Sequence, residues 1–421
     1  MAVLEVVPPL DPAAVLGRLE AAAEGFWVDL PGGGFVAGCC PERTLTAVPG
    51  QQPLAGWEPP APGPEPAPAW AGVLTYELGS LLDPRPSRPC RRQPFPLWHL
   101  GYYPAVLYAD TDGRQFLADA RGVAAARAGL EAWRREARVP DPAPPLVVTA
   151  ASWDRRGFLE GVRTVQAAIR RGDVYLVNLA RILHLAGPPA DATRFLALRS
   201  RLHPARGAFY RTRTWAVLSA SPELFLERTP AGVVRTAPIK GTRPRGRNPE
   251  ADRALAGELL ASEKDRAELI MVVDLERNDL NRVAAAGSVR MSRGPHLESL
   301  PYVHHLVAEV EGRYPWPDPV PLFRSLFPGG SVTGAPKLAA MDCIARLEPE
   351  ARGPYTGSIG FAGGNGYWHW NIAIRTLTRF GDDYRLGAGA GITVDSDPEA
   401  EWRETLEKAD GLLRALGVPA P

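Results

Sequence analysis

The stretch from Trp215 to Thr242 constrains this chain most. Two apolar, β-branched runs, Trp215 to Leu226 and Val233 to Pro238, flank the turn Pro230-Ala231-Gly232. That is the pattern of an antiparallel strand pair. The first run carries Ser221-Pro222-Glu223, and the second delivers Lys240. Strands that meet at one end can set a carboxyl beside an amine. An arginine run, Arg243, Arg245 and Arg247, lies close enough to help depress that amine's pKa. The lysine is itself informative, because of 48 basic residues only four are lysine: Lys240, Lys264, Lys337 and Lys408. Guanidinium does not deprotonate, whereas an amine acts as base or nucleophile once its pKa falls. The four lysines are therefore where amine chemistry, or a compact point charge, is expected.

A chain of 421 residues has room for about two or three domains of ordinary size. The net charge of +1 argues against a nucleic-acid binder, which would carry a basic excess. Cys39, Cys40, Cys90 and Cys343 show no Cys-x-x-Cys spacing and read as free thiols. No signal-peptide pattern lies between Met1 and Leu16, and no run of about 18 apolar residues occurs. A cytoplasmic protein without membrane contact is expected. Pro140 to Pro145 (PDPAPP) marks a boundary, giving an N-terminal region, 1–145, and a second region, 146–421.

Before the boundary, Trp70 to Leu82 reads as strand then helix. Leu100 to Tyr108 and Arg114 to Leu117 read as strands around the turn at Asp110 to Gly113. Beyond it, Phe158, Val162, Val165 and Ile169 mark one helix face, capped by Ser152 or Asp154 and ended by Gly172. Val174 to Leu185 reads as a strand. Ala251 to Leu275 reads as one helix, with Lys264 and Glu268 a turn apart. His304 and His305 precede a strand. Gly329 to Lys337 is a glycine-rich loop entering a helix near Leu338, a place where backbone amides can seat an anion. Gly387, Gly389 and Gly391 lead into Ile392-Thr393-Val394 rather than a helix, which excludes a dinucleotide fingerprint and suggests a backbone nest for a carboxylate.

The last helix is capped by Asp397 with Pro398 behind it, and Trp402, Leu406, Ala409 and Leu413 form its apolar face. Glu401, Glu404 and Lys408 share another face. Two readings stand at this point. The carboxylates suit a hard cation such as magnesium, or the face is solvated and held by a Glu404–Lys408 ion pair.

Taken together, SPELF (221–225), PIKGT (238–242), DRAELIMVVDLERNDL (265–280), PGGSVTGAPK (328–337), YTGSIGF (355–361), NIAIRT (371–376), GAGAGITVDS (387–396) and EWRETLEKA (401–409) resemble the chorismate-utilising family. The likeness covers roughly residues 150–415, with a looser match at AGVLTYELG (71–79). It implies an α+β fold of two large antiparallel sheets packed face to face with helices outside. In that family a lysine after Pro-Ile marks the aminodeoxychorismate synthase component I branch, and an alanine marks the anthranilate synthases. Lys240 thus points to amination of chorismate at C4 on the route to 4-aminobenzoate and folate, with the anthranilate synthase reaction as the alternative.

The resemblance also implies roles. Lys240 attacks C2 of chorismate, Glu223 protonates the departing C4 hydroxyl, and His305 stands near the ring carboxylate. Glu268, Glu401 and Glu404 hold Mg²⁺. Thr333 and Gly334 form the pocket floor, and Tyr355, Arg375, the amide of Gly389 and Lys408 take the second carboxylate. Ammonia comes from a separate glutamine amidotransferase subunit, since no glutaminase stretch surrounds any cysteine. One departure is Leu176, in Gly172-Asp173-Val174-Tyr175-Leu176-Val177-Asn178, where the family carries glutamine or a water-activating lysine. A leucine there argues against the water-adding relatives.

Overall fold

In the computed structural model, residues 1–47, 52–83 and 91–419 are described. Cys90 lies outside them; Cys39, Cys40 and Cys343 are free thiols. The chain is α+β, built on two antiparallel sheets of 12 and 10 strands. Strands from residues 1–145 enter both sheets. Among the described residues no helix is long and apolar enough to cross a membrane.

The layering follows from strand alternation, since successive side chains point to opposite faces. Phe26, Val28, Ala208, Tyr210 and Val217 of the 12-stranded sheet pack with Ala69, Ala71, Val73, Ile359 and Phe361 of the 10-stranded sheet. Their out-of-phase neighbours Trp27, Phe209 and Leu218 turn the other way, onto helices Pro12–Ala21, Asp191–Leu202 and Pro398–Ala415. On the far side, helices Glu263–Asn281 and Val320–Leu326 bury Leu269, Val273, Leu322 and Phe323 against the 10-stranded sheet. Strands covered on both faces read as continuous apolar runs, as Trp215 to Leu218 does.

Several sequence expectations hold. Asp154 accepts from Gly157 N–H at 2.7 Å and caps the helix Arg155–Arg170, and Gly172 leaves it at φ 80°. The hairpin about Asp110–Gly113 joins strands Ala105–Ala109 and Gln115–Asp119. Asp397 caps Pro398–Ala415. Three need correction. Trp215 to Leu226 is two strands, Trp215–Ser219 in one sheet and Leu224–Arg228 in the other. Leu100 to Tyr108 likewise divides at Pro104 between the two sheets. The strands on either side of each crossing are alike in apolar content, so the pattern alone does not show which sheet each one joins. Ala251 to Leu275 is two helices, Pro249–Ala261 and Glu263–Asn281. They divide at Ser262, whose extended ψ of 106° breaks the first and whose hydroxyl caps the second.

Two sheet changes carry candidate site residues. Ala220 to Glu223 takes the chain from the large sheet to the small one, and Ala373 to Arg375 brings it back. Thr333 immediately precedes the short strand Gly334–Ala335 of the large sheet, and Tyr355 precedes Ser358–Gly363 of the small one.

Candidate active site

Lys240 and Glu223 come together as their types require. Glu223 is buried, and its Oε1 accepts from the Ile239 N–H at 3.2 Å. Burial pushes its carboxyl above the ordinary range, with Lys240 pulling the other way. Lys240 donates to Ser331 O at 3.0 Å. Burial lowers its pKa; Glu268 and Glu223 oppose this and Lys408 reinforces it. The arginine run takes no part. Arg243 pairs with Glu258 at 2.7 Å and Asp265 at 3.3 Å, and Arg245 pairs with Asp252 at 2.7 Å. Those guanidiniums point out to helix Pro249–Ala261 and its successor while the amine points in.

The floor beneath the amine is glycine. A β carbon at Gly391 would stand 3.6 Å from Lys240 Nζ and 3.5 Å from Leu176 Cδ1. Leu176 and Lys240 therefore both border the space above Gly391. Gly387 and Gly389 lie with Gly391 in the regular strand Asp383–Ile392, so the expected nest is not formed. A nest needs alternating backbone conformations, and none of these glycines has positive φ. They serve by lacking a side chain. At Gly387 a β carbon would meet the Tyr355 ring at 2.2 Å. Pairing with the neighbouring strand Thr376–Phe380 stops at Leu377–Leu386, leaving the edge open at Gly389. Gly389 O accepts from Lys408 Nζ there at 2.7 Å. Its N–H points to the same side, as in any antiparallel strand, so the amide expected to bind a carboxylate is on the open edge.

Lys408 also pairs with Glu404 at 2.5 Å, and Arg375, at φ 51°, donates to Lys408 O at 2.9 Å. Burial raises the Glu404 pKa, but Lys408 outweighs it and holds the group below its ordinary value. Glu401 is 4% exposed, and burial, with Glu404 and Glu268 adding to it, pushes its pKa up to about 7. Glu268 is raised too, by burial against the pull of Lys240 and Lys264. The apolar face of the last helix is correspondingly shifted: Glu401, Thr405, Ala409, Leu412 and Leu413 are buried, while Leu406 is only partly so. Among the described residues no three carboxylate, histidine or cysteine side chains stand close enough to hold a metal as they are. The set nevertheless fits one. Glu401 Oε2 is buried without a hydrogen-bond partner, and three mutually repelling carboxylates supply the oxygen ligands that a magnesium ion prefers.

Thr333 is buried, donates to Gly329 O at 2.9 Å and accepts at its carbonyl from Asn178 N–H at 2.8 Å. Gly334 has φ 141°, and a β carbon there would strike Leu176 O at 2.0 Å. His305 is buried, bonded to Thr242 Oγ1 at 2.9 Å, and lowered to about 4 by burial, then by Arg375. It is a neutral imidazole at pH 7. Lys337, at the head of the helix Lys337–Leu347, is the buried counter-ion of Asp279 at 2.5 Å and donates to Leu326 O at 2.7 Å.

The profile of the chorismate binding enzymes matches residues 50–414, which takes in every side chain just described. The chain belongs to that family. This chorismate-binding enzyme is 41% identical over 292 residues to anthranilate synthase component 1 1 of Haloarcula marismortui, covering 67% of this chain but only 59% of that relative. It is 37% identical over 348 residues to aminodeoxychorismate synthase component 1 of Salmonella typhimurium, covering 82% of this chain and 76% of the relative. Among solved structures, anthranilate synthase component I of Streptococcus pneumoniae superposes with a TM-score of 0.76 at 27% identity, over 92% of this chain and 89% of that one.

The sequence reading of this chorismate-binding enzyme missed the supports behind the pocket. Arg352, buried, donates to Glu348 Oε1 at 2.6 Å, Asn178 O at 2.7 Å and Val332 O at 2.9 Å, and lies over the Tyr76 ring. It ties the Thr333 loop to the central strand Leu176–Ala186. Glu77 in turn accepts from Arg352 N–H at 2.7 Å and Gly353 N–H at 3.1 Å. Glu276 is buried behind Glu223, pushed to about 8 by burial and bonded to Thr236. One clue was available in the sequence: charged residues embedded in apolar runs must be paired or neutral.

Proposed function

We propose that this chorismate-binding enzyme is the component I of an aminodeoxychorismate synthase, converting chorismate and ammonia to 4-amino-4-deoxychorismate. The observation that carries the reading is Lys240: a desolvated amine over a glycine floor, one residue from a backbone N–H held by a buried acid. Desolvation keeps a fraction of the amine uncharged and nucleophilic at neutral pH. In this reading Lys240 Nζ bonds to C2 of chorismate while the ring double bonds shift and the C4 hydroxyl departs. Glu223, whose pKa burial raises, supplies the proton that turns the hydroxyl into water. Ammonia then bonds to C4 and the lysine is expelled from C2. One hard substitution becomes two easier ones.

The charges support a doubly anionic substrate. Lys240, Lys408 and Arg375 face it, and His305 stays neutral. Glu268, Glu401 and Glu404 would hold Mg²⁺, which supplies neutralising charge for the ring carboxylate. Adding a dianion and a dication together leaves the balance of the pocket unchanged. Leu176 supports amination over hydration, since it offers water no base. The ammonia is proposed to come from a separate glutamine amidotransferase subunit.

The test is product analysis with chorismate, Mg²⁺ and ammonium, with and without a lyase that removes the enolpyruvyl group. The reading expects 4-aminobenzoate only when lyase is present, and loss of it in Lys240→Ala. Anthranilate and pyruvate without lyase would instead favour the activity named for the Haloarcula relative. An unchanged rate in Lys240→Ala would refute the nucleophile.

A further inference from the structure

A cavity of about 110 Å³ lies against the 10-stranded sheet. Pro222 and Ile239 line it, the immediate chain neighbours of Glu223 and Lys240. Within the strand Ile239–Pro244, alternation turns Ile239 to the cavity and Lys240 to the opposite face. Between them the ladder is interrupted. Strand Leu224–Arg228 shifts register against both of its neighbours just after Leu224, and strand Ile239–Pro244 shifts against Val303–Arg313 just after Ile239. The Glu223 carboxyl reaches into this break to meet the Ile239 N–H.

The cavity holds three or four molecules of water size at roughly 30 Å³ each, which is too small for chorismate. Its polar lining is mixed. Glu227, Glu298 and Glu309 offer acceptors, and Arg206 contributes a buried Nε with no hydrogen-bond partner. Glu227 stays ionised: burial raises it, but His369 and Tyr367 hold it at about 2. An occupant suited to this lining is small, accepts one hydrogen bond and donates others. Ammonia does both; ammonium has no lone pair to accept with.

We infer that this cavity is the port through which ammonia reaches C4, passing the register break beside Glu223. The inference rests on the amination reading above. It also closes the proton cycle. Glu223 gives its proton to the departing C4 hydroxyl, which leaves as water. Ammonia from the port bonds to C4 as the C2–N bond to Lys240 breaks. The new C4–NH₃⁺ group then gives a proton to the Glu223 carboxylate and becomes C4–NH₂. One ammonia is consumed, one water leaves and Glu223 is again protonated.

The test is steady-state kinetics with ammonium chloride as the nitrogen source at fixed pH, on Ala237→Leu and Glu309→Gln. Both residues line the cavity. Ala237→Leu adds three carbons to the port and is expected to raise KM for ammonium at least tenfold while KM for chorismate holds. Glu309→Gln keeps the shape, removes a charge and is expected to raise it about threefold; it decides the matter if the leucine variant does not fold. A KM for ammonium within twofold of the parent, or parallel rises for both substrates, overturns the port. The product made by the unsubstituted enzyme tests the amination reading separately, because KM for ammonium is measurable whether the nitrogen enters at C4 or elsewhere.

Discussion

Replacing Arg352 by methionine removes the guanidinium behind the pocket. It now bonds to Glu348 at 2.9 and 2.6 Å, to the carbonyls of Asn178 and Val332 at 2.7 and 2.9 Å, and to Thr356 Oγ1 at 3.2 Å. Glu348 is 5% exposed, so the variant leaves a carboxylate buried without its cation. Breaking a buried pair from one side costs about 3–5 kcal/mol. The two carbonyls that lose their donor add about 1 kcal/mol each. The sum is a large part of the roughly 5–15 kcal/mol that holds a domain together. Adding Glu348→Gln removes the stranded charge and keeps an acceptor for the Ala180 N–H, which Glu348 now meets at 2.8 Å. The double variant should recover about half of the loss. Urea unfolding followed by tryptophan fluorescence measures both. An Arg352→Met protein within about 1 kcal/mol of the parent, or a double variant no more stable than the single one, would refute the buried-pair reading. Because Val332 adjoins Thr333 and Asn178 abuts Gly389, folded Arg352→Met should also show a raised KM for chorismate.

Other outcomes are expected at the same site. Glu401 is raised from 4.5 to about 7, so the folded protein holds a proton that the unfolded chain releases between those values. Stability without metal should therefore fall as pH rises through that window, by about 3 kcal/mol. Glu401→Gln should remove the fall, and a thermal melt at pH 5 and pH 8 with equal slopes for both proteins would contradict this. His305 is lowered from 6.5 to about 4, so here the unfolded chain binds the extra proton. Stability should drop as pH falls from 6.5 towards 4, by about 3 kcal/mol, and His305→Gln should flatten that limb in urea titrations. Gly387→Ala forces a methyl to 2.2 Å from the Tyr355 ring, whereas Gly391→Ala makes ordinary contacts at 3.5 and 3.6 Å. The first should lower Tm and weaken chorismate binding, and the second should keep the parent Tm. Equal melting of the two would count against the glycine floor.

Much of this enzyme was legible in the amino-acid order because the relevant signals are local. A cap such as Asp154 or Asp397 satisfies amides two or three residues away, and the turn at Asp110–Gly113 needs only its own dihedrals. The arginine bias set four lysines apart, and three of them, Lys240, Lys264 and Lys408, now surround the carboxylates Glu268 and Glu404. The motif order around them carried the family and the two-sheet fold.

What local order does not encode is which sheet a strand joins. Trp215–Ser219 and Leu224–Arg228 share one apolar pattern and lie in different sheets, because both are covered on two faces and alternation is indifferent to the change. The site depends on those changes: Glu223 and Arg375 lie in crossings, and Thr333 and Tyr355 stand just before strands of different sheets. The fourth lysine shows the same limit. Lys337 has the rarity and setting of a functional amine, yet it neutralises Asp279 in the interior. Residue types determined what chemistry this chain can perform. Burial and long-range charge, which exist only once distant segments are packed together, decided which amine loses its proton and which carboxyl keeps one.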